Sequence, residues 1–258
     1  MSLIDIEDIK QKSFLGYPTL FKDETGDICL IQPLTIGDKI RLGPQYNIYL
    51  SLLTISNEDI EDLLKDKIGE EADNLSTVTP FEYLMLSAEF NDTFFMDLKK
   101  AFGTFIRDEV FIIPKAQEIR IGEISQGRKI TKENFDDFQK IIRLQNHLDM
   151  PEEIPENENP MHKKFRLRRK ELKKAKAKQN SQSEDAPTFS DLVSSMCAMQ
   201  IGVTWNNISK MPIYTFYDLL SRSQSKEKYQ MDTQALLAGA DSKKIKLKYW
   251  IRNNSVEE

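Results

Sequence analysis

Apolar positions through residue 148 come in short blocks whose spacing alternates between the two-residue period of strands and the three-to-four-residue period of helices. Tyr17-Pro18-Thr19-Leu20-Phe21 reads as a strand, Asp23 to Asp27 as a turn with Gly26 free to take a positive φ, and Ile28 to Ile31 as the returning strand. A hairpin is expected there. Pro33, Gly37 and Gly43-Pro44 interrupt the pattern before a long element can form. Gln45 to Thr54 follows, apolar and aromatic, with Ile48, Leu52 and Ile55 near helical spacing. Ser56 with Asp59 can then cap an acidic helix that places Ile60, Leu63 and Leu64 on one face. Thr79-Pro80-Phe81-Glu82 combines a capping box with proline in the first turn and opens a helix through Leu84, Met85, Ala88 and Phe90.

Phenylalanines crowd the stretch from Phe94 to Phe111, and Val110 to Ile113 and Glu118 to Ile121 read as short strands separated by Pro114. Gly122 and Gln126-Gly127-Arg128 mark the turns that follow. Thr131 caps a helix from Lys132 to about His147, in which Phe135, Phe138, Ile142 and Gln145 recur at steps of three and four. Together these elements predict an α+β N-terminal domain over residues 1–148, with a small antiparallel sheet against helices.

The chain then changes character. Asp149 to Pro160 holds three prolines and five carboxylates with almost no apolar side chain, too little burial to offset the entropy of ordering. Lys163 to Lys178 carries ten Lys or Arg residues against one Glu; its composition suits a helix, but Phe165, Leu167 and Leu172 make only a narrow apolar face. Gln179 to Pro187 is polar again, so 149–187 is expected to be a flexible charged connector, acidic and then basic. Thr188 can cap a helix bearing Leu192, Val193, Met196 and Met199 that stops near Gly202, and Thr204 can cap a short turn. Met211 to Leu220, Glu227 to Ala238 before Gly239, and Lys246 to Ile251 are further helical candidates. Several short helices predict a small all-α C-terminal module over 188–258.

Composition narrows the classes. With 40% hydrophobic and 30% charged residues, the chain has the make-up of a water-soluble globular protein. Cys29 and Cys197 form neither a CxxC pair nor a disulfide framework, which fits a reducing compartment. Met1 to Lys10 alternates apolar and acidic positions, unlike a signal peptide, and no apolar run approaches the roughly 18 residues of a membrane span, so no membrane partner is expected. Net charge is -5 and the pI about 5.4, which argues against a surface that is basic throughout.

Catalytic constellations are sparse in the sequence. The two histidines, His147 and His162, sit within or beside the connector, and no GxSxG turn, phosphate loop, HExxH or EF-hand spacing occurs. Carboxylate pairs such as Glu58-Asp59, Glu61-Asp62 and Asp136-Asp137 are adjacent on helices and point about 100° apart, the arrangement of a solvated face rather than of a converging site. No enzyme, cofactor or metal is expected. The remaining alternative in that class is a small hydrolase with an unrecognised carboxylate site.

The charged and aromatic clusters are more informative. Lys163, Lys164, Arg166, Arg168, Arg169, Lys170, Lys173, Lys174, Lys176 and Lys178 can meet an acidic protein surface, serve as a solvated spacer, or neutralise phosphates in a nonspecific nucleic-acid contact. Only Phe165 is interleaved with them for base stacking, which weighs against nucleic acid. In the C-terminal part Trp205, Tyr214, Phe216, Tyr217, Tyr249 and Trp250 supply many rings, some for the core and some to anchor a partner.

The run Gly202-Val203-Thr204-Trp205-Asn206-Asn207-Ile208-Ser209-Lys210-Met211-Pro212-Ile213-Tyr214-Thr215-Phe216-Tyr217-Asp218, with Leu236-Leu237-Ala238-Gly239-Ala240 and Trp250-Ile251, resembles the C-terminal region of proteins from the tail-assembly regions of tailed bacteriophages. Phe21 to Asp38, with Gln32-Pro33-Leu34-Thr35 after the hairpin, is similar to the opening of phage tail assembly chaperones. The resemblance implies a non-enzymatic protein that accompanies the tape-measure protein or helps build the baseplate hub, in the host cytoplasm or retained in the virion tail. It further implies that Trp205, Tyr214, Tyr217 and Trp250 are core or protein-interface residues.

Overall fold

Local side-chain chemistry starts most of the helices in the computed structural model, which describes residues 4–24, 26–68, 78–123, 127–150, 159, 161–162, 164–166, 168–169, 172, 175, 187–199, 202–241, 245, 247 and 249–251. The elements are α1 (Ile6–Leu15), β1 (Thr19–Asp23), β2 (Gly26–Ile31), α2 (Ile36–Leu42), α3 (Pro44–Leu53), α4 (Asn57–Ile68), α5 (Pro80–Phe90), α6 (Asp92–Phe105), β3 (Val110–Ile113), β4 (Glu118–Ile121), β5 (Lys129–Ile130), α7 (Lys132–Gln145), α8 (Phe189–Ala198) and α9 (Ile213–Leu237). The orphan N–H groups of a helix start are met by one short polar side chain and returned by an acid three residues on. This happens at Thr35 with Asp38, Ser56 with Asp59, Thr79 with Glu82 and Thr188 with Asp191. Asp5 and Asn91 cap α1 and α6 without the return contact.

Two small antiparallel sheets carry the strands. β1 pairs with β2 from Thr19↔Ile31 to Asp23↔Gly26, with an irregularity between Phe21 and Lys22, so the expected hairpin forms. The order β3-β4-β5 places Val110 opposite Ile121 and Ile112 opposite Ile119, and these alternate residues are all buried. β5 adds Ile130 beside Ile119 and was not apparent in the sequence pattern.

The core gathers on α7. Phe138 is fully buried, with ring centroids 5.3 Å from Phe102, 5.9 Å from Phe21 and 6.0 Å from Phe135, while Phe81 lies 5.3 Å from Phe135. Offset and edge contacts at such distances add to the burial of the rings themselves. Polar side chains of the same helix fasten its neighbours. Asn134 Nδ2 donates to Asp23 and to Lys129 O; Gln139 Nε2 donates to Leu53 O and Ile55 O; Gln145 Nε2 donates to Thr19 Oγ1 and Ile31 O. Arg143 donates to Thr54 O, which puts a cation at the open C-terminal end of α3.

Several expectations are corrected by packing. Leu63 of α4 is 42% exposed rather than on the buried face with Ile60, and the side chain of Leu64 lies outside the described residues. α1 and α6 are helices although the sequence pattern did not single them out. The two candidates Met211 to Leu220 and Glu227 to Ala238 merge into one 25-residue helix, α9, which starts at Ile213 and ends at Leu237, because the polar residues between them include neither Gly nor Pro. The described positions near the end, 245, 247 and 249–251, are not helical.

The N-terminal region is thus α+β and the C-terminal region helical. Met1–Met150 and Ser209–Glu258 form one unit, and Pro151–Ile208 the other. The physical reason is the burial of Ile213, Phe216 and Leu220 of α9 within the first unit, where α9 packs along α1 and α7. In the second unit, Val193 and Met196 of α8 and Val203 and Ile208 beyond it are buried, and Asn207 braces the turn by accepting from Thr204 N–H and donating to Gly202 O. Of the expected connector, most positions lie outside the described residues; Met161, His162, Lys164, Phe165, Arg166, Arg168, Arg169, Leu172 and Ala175 are described and helical.

Candidate protein-binding surfaces

The base of α9 is held by a clasp built from α2 and the residues just before it. Ile36 N–H donates to Met211 O at 2.9 Å, Ile213 N–H to Leu34 O at 2.9 Å, and Thr35 pairs with Pro212 in an isolated bridge. Gly37 is required at this crossing, since a Cβ there would stand 2.7 Å from Ser209 O. The Thr215 hydroxyl adds a bond to Phe14 O at 2.5 Å, beside the end of α1.

Aromatic and charged groups close over the clasp. Lys39 Nζ donates to the Tyr217 hydroxyl at 2.7 Å and lies 4.7 Å from the centroid of Tyr46 and 5.1 Å from that of Tyr217, a cation held between ring faces. His147, in the left-handed region at φ 55°, sits 5.3 Å from Tyr214 and 6.3 Å from Tyr217. The Tyr46 hydroxyl donates to Asn146 Oδ1 at 3.0 Å, and burial, followed by the neighbouring Tyr217, pushes its pKa up. Burial also raises Tyr214, with Asp218 adding to the effect. This is a polar-rimmed joint that fixes a helix.

Of the four aromatic residues singled out in the sequence, Tyr214, Tyr217 and Trp250 belong to the first unit and Trp205 to the second. Tyr214 and Tyr217 are half-buried in the clasp, where their rings meet Lys39 and His147 of the same chain. Trp250 is half-buried further along α9, 5.9 Å from Lys226 Nζ and next to Tyr249, whose ring meets Tyr229 at 5.6 Å. Trp205 belongs to the second unit and is 65% exposed. Lys164, Arg168 and Arg169 are exposed and Arg166 half-buried, while Lys163, Lys170, Lys173, Lys174, Lys176 and Lys178 lie outside the described residues.

Sequence reasoning missed other exposed apolar side chains. Phe90 with Leu86 one turn before it, Met96 in α6, and Leu15 with Tyr17 after α1 all reach solvent. Their signal was mixed with that of the core, because helical spacing does not distinguish a buried apolar position from an exposed one. Among the described residues no group of three or more His, Cys, Asp and Glu side chains is placed to hold a metal ion, and no helix is long and apolar enough to cross a membrane.

The fold and its surface define an α+β protein with a helical C-terminal region, large side chains offered to solvent at several places, and a clasped C-terminal helix. Residues 176–254 match the family model described as the YomV second domain, a phage-type family. The matched stretch includes α8, the turn around Trp205, and all of α9. No curated protein and no solved structure matches the chain.

Proposed function

We propose that the chain is a non-enzymatic structural or assembly factor of a bacteriophage, acting at the tail or baseplate through protein–protein contacts. The observation that carries this reading is the match of residues 176–254 to a phage-type domain, over the same residues whose sequence resembles tail-assembly proteins. The exposed Trp205, Phe90 and Leu237 add support, since large apolar side chains are what a protein-binding surface uses as anchors. The partners in this reading are the tape-measure protein or components of the baseplate hub, met in the host cytoplasm during assembly.

Affinity purification of the tagged chain from phage-producing cells, read by quantitative mass spectrometry, is expected to enrich tape-measure or baseplate proteins over an untagged control. Enrichment of no tail protein would remove the tail assignment. Probing purified particles for the chain then separates a virion component from an assembly factor that leaves.

A further inference from the structure

The longest run of sequence without a charged side chain surrounds the exposed tryptophan. From Leu192 to Ser209 there is no Asp, Glu, Lys, Arg or His, in a chain of which 30% is charged. Within that run Val203 and Ile208 are buried, whereas Thr204, Asn206 and Asn207 are exposed together with Trp205. The indole therefore projects from a collar that is polar but neutral. A large ring in charge-depleted surroundings has the make-up of the centre of a protein interface rather than of its rim.

Backbone ties hold the turn in shape. Thr204 N–H donates to Asn207 Oδ1 at 2.7 Å, and Asn207 Nδ2 donates to Gly202 O at 3.0 Å. Asn207 N–H and Ile208 N–H both donate to Thr204 O, at 3.1 and 2.9 Å. With Val203 and Ile208 buried on either side, the turn is ordered before any partner arrives. Binding then spares the ordering cost that weakens contacts made by loose loops, and the tryptophan has only two torsions to fix.

Neutrality decides the kind of partner. Nucleic-acid phosphates and anionic lipid headgroups are met by Lys or Arg, and Gly202 to Ile208 has neither. The indole offers apolar faces and one donor, Nε1–H, which needs an acceptor once it leaves water. We infer that the turn around Trp205 docks in an uncharged apolar pocket of a partner protein, where a neutral oxygen accepts from the indole Nε1–H. Trp205 is the anchor, and Thr204, Asn206 and Asn207 form the polar rim that keeps water from it. With no charge taking part, the contact is indifferent to salt, unlike any made through Lys163 to Lys178. This inference rests on the reading of the chain as a factor that binds tail proteins, and it locates that contact.

The test uses the tail protein recovered with the full chain from phage-producing cells, purified and titrated against the parent, Trp205→Phe and Trp205→Ser. Trp205→Ser is expected to bind about thirtyfold more weakly or worse, and Trp205→Phe to fall between it and the parent, both with the parent circular dichroism. Parent affinity should change less than about threefold between about 100 and 500 mM salt. In a Trp250→Phe background, where Trp205 is the sole fluorophore of its kind, the partner should shield it from acrylamide. Equal binding by Trp205→Ser, an indole still quenched in the complex, or an affinity that collapses in high salt would overturn the inference and leave the tail reading standing. A parent that recovers no tail protein would remove both. A shift of Trp205 emission on neutral phospholipid vesicles or on single-stranded DNA, with no protein partner present, would overturn the inference in favour of that ligand.

Discussion

Glu82 ties two helix starts together. Its carboxylate accepts from Thr79 N–H at 2.9 Å and from the Thr79 hydroxyl at 2.7 Å, while Lys132 Nζ, in the first turn of α7, donates at 2.9 Å. Those donors, Lys132 foremost, hold its pKa down to about 2. A carboxylate with a depressed folded pKa stabilises the protein above its unfolded pKa, and that stabilisation is lost as pH falls through the folded value. Glu82 is one-third exposed and screened by solvent, so its contribution is about 1 kcal/mol at most. Urea unfolding followed from about pH 5 down to about pH 2 should show Glu82→Gln losing less stability than the parent over that window. Identical pH slopes for the two proteins would contradict the assignment. At this scale the capping role of Thr79 and Glu82 was legible, because it is written in four adjacent residues. The contact with Lys132 was not, since it joins positions fifty residues apart. Gln139 shows the same limit: a glutamine on an amphipathic helix reads as surface until the carbonyls that it serves are in place.

Among the elements, α9 is unequal along its length. Its first two turns bury Ile213, Phe216 and Leu220, whereas Met231 is 69% and Leu237 85% exposed. Phe216→Ala should cost about 3–5 kcal/mol, the range for emptying a buried phenylalanine site. Met231→Ala should stay within about 0.5 kcal/mol, as exposed substitutions do. Chemical denaturation of both variants reads the difference, and comparable losses would mean that the far half is packed as tightly as the base. The local starts at Ser56, Thr79, Thr131 and Thr188, the hairpin and the strands β3 and β4 could all be read from sequence, because each depends on neighbours within a few residues. α1 and α6 had signals in Asp5 and Asn91, but charged and phenylalanine-rich composition hid their periodicity. The continuity of α9 was obscured by serines, which lower helix propensity only slightly and do not end a helix.

For the whole molecule, the connector's composition was visible and the organisation around it was not. Residues 209–258 rejoin the unit formed by 1–150 through backbone bonds to Leu34 and Ile36 and through burial under α9, contacts that span about two thirds of the chain. Local pattern carries no information about such pairings, so Tyr214 and Tyr217, recognisable as large rings, could not be assigned to an internal joint in advance. The stretch that matches the YomV second domain crosses the same division.

Cys29 lies at the inner face of the hairpin, opposite Phe21, and burial, with Asp108 beside it, pushes its thiol up to about 12. Alkylation requires a thiolate reachable from water, whereas Cys197 is a half-exposed free thiol. Iodoacetamide should therefore modify Cys197 promptly and Cys29 only during excursions that undo the α7 core. Mass spectrometry of native protein over time should show one fast adduct and one slow one; two equally fast adducts would deny the hairpin its seal. The lag of the second adduct is a stopwatch for the rarest breathing of the molecule, wound into the native sequence with no label added.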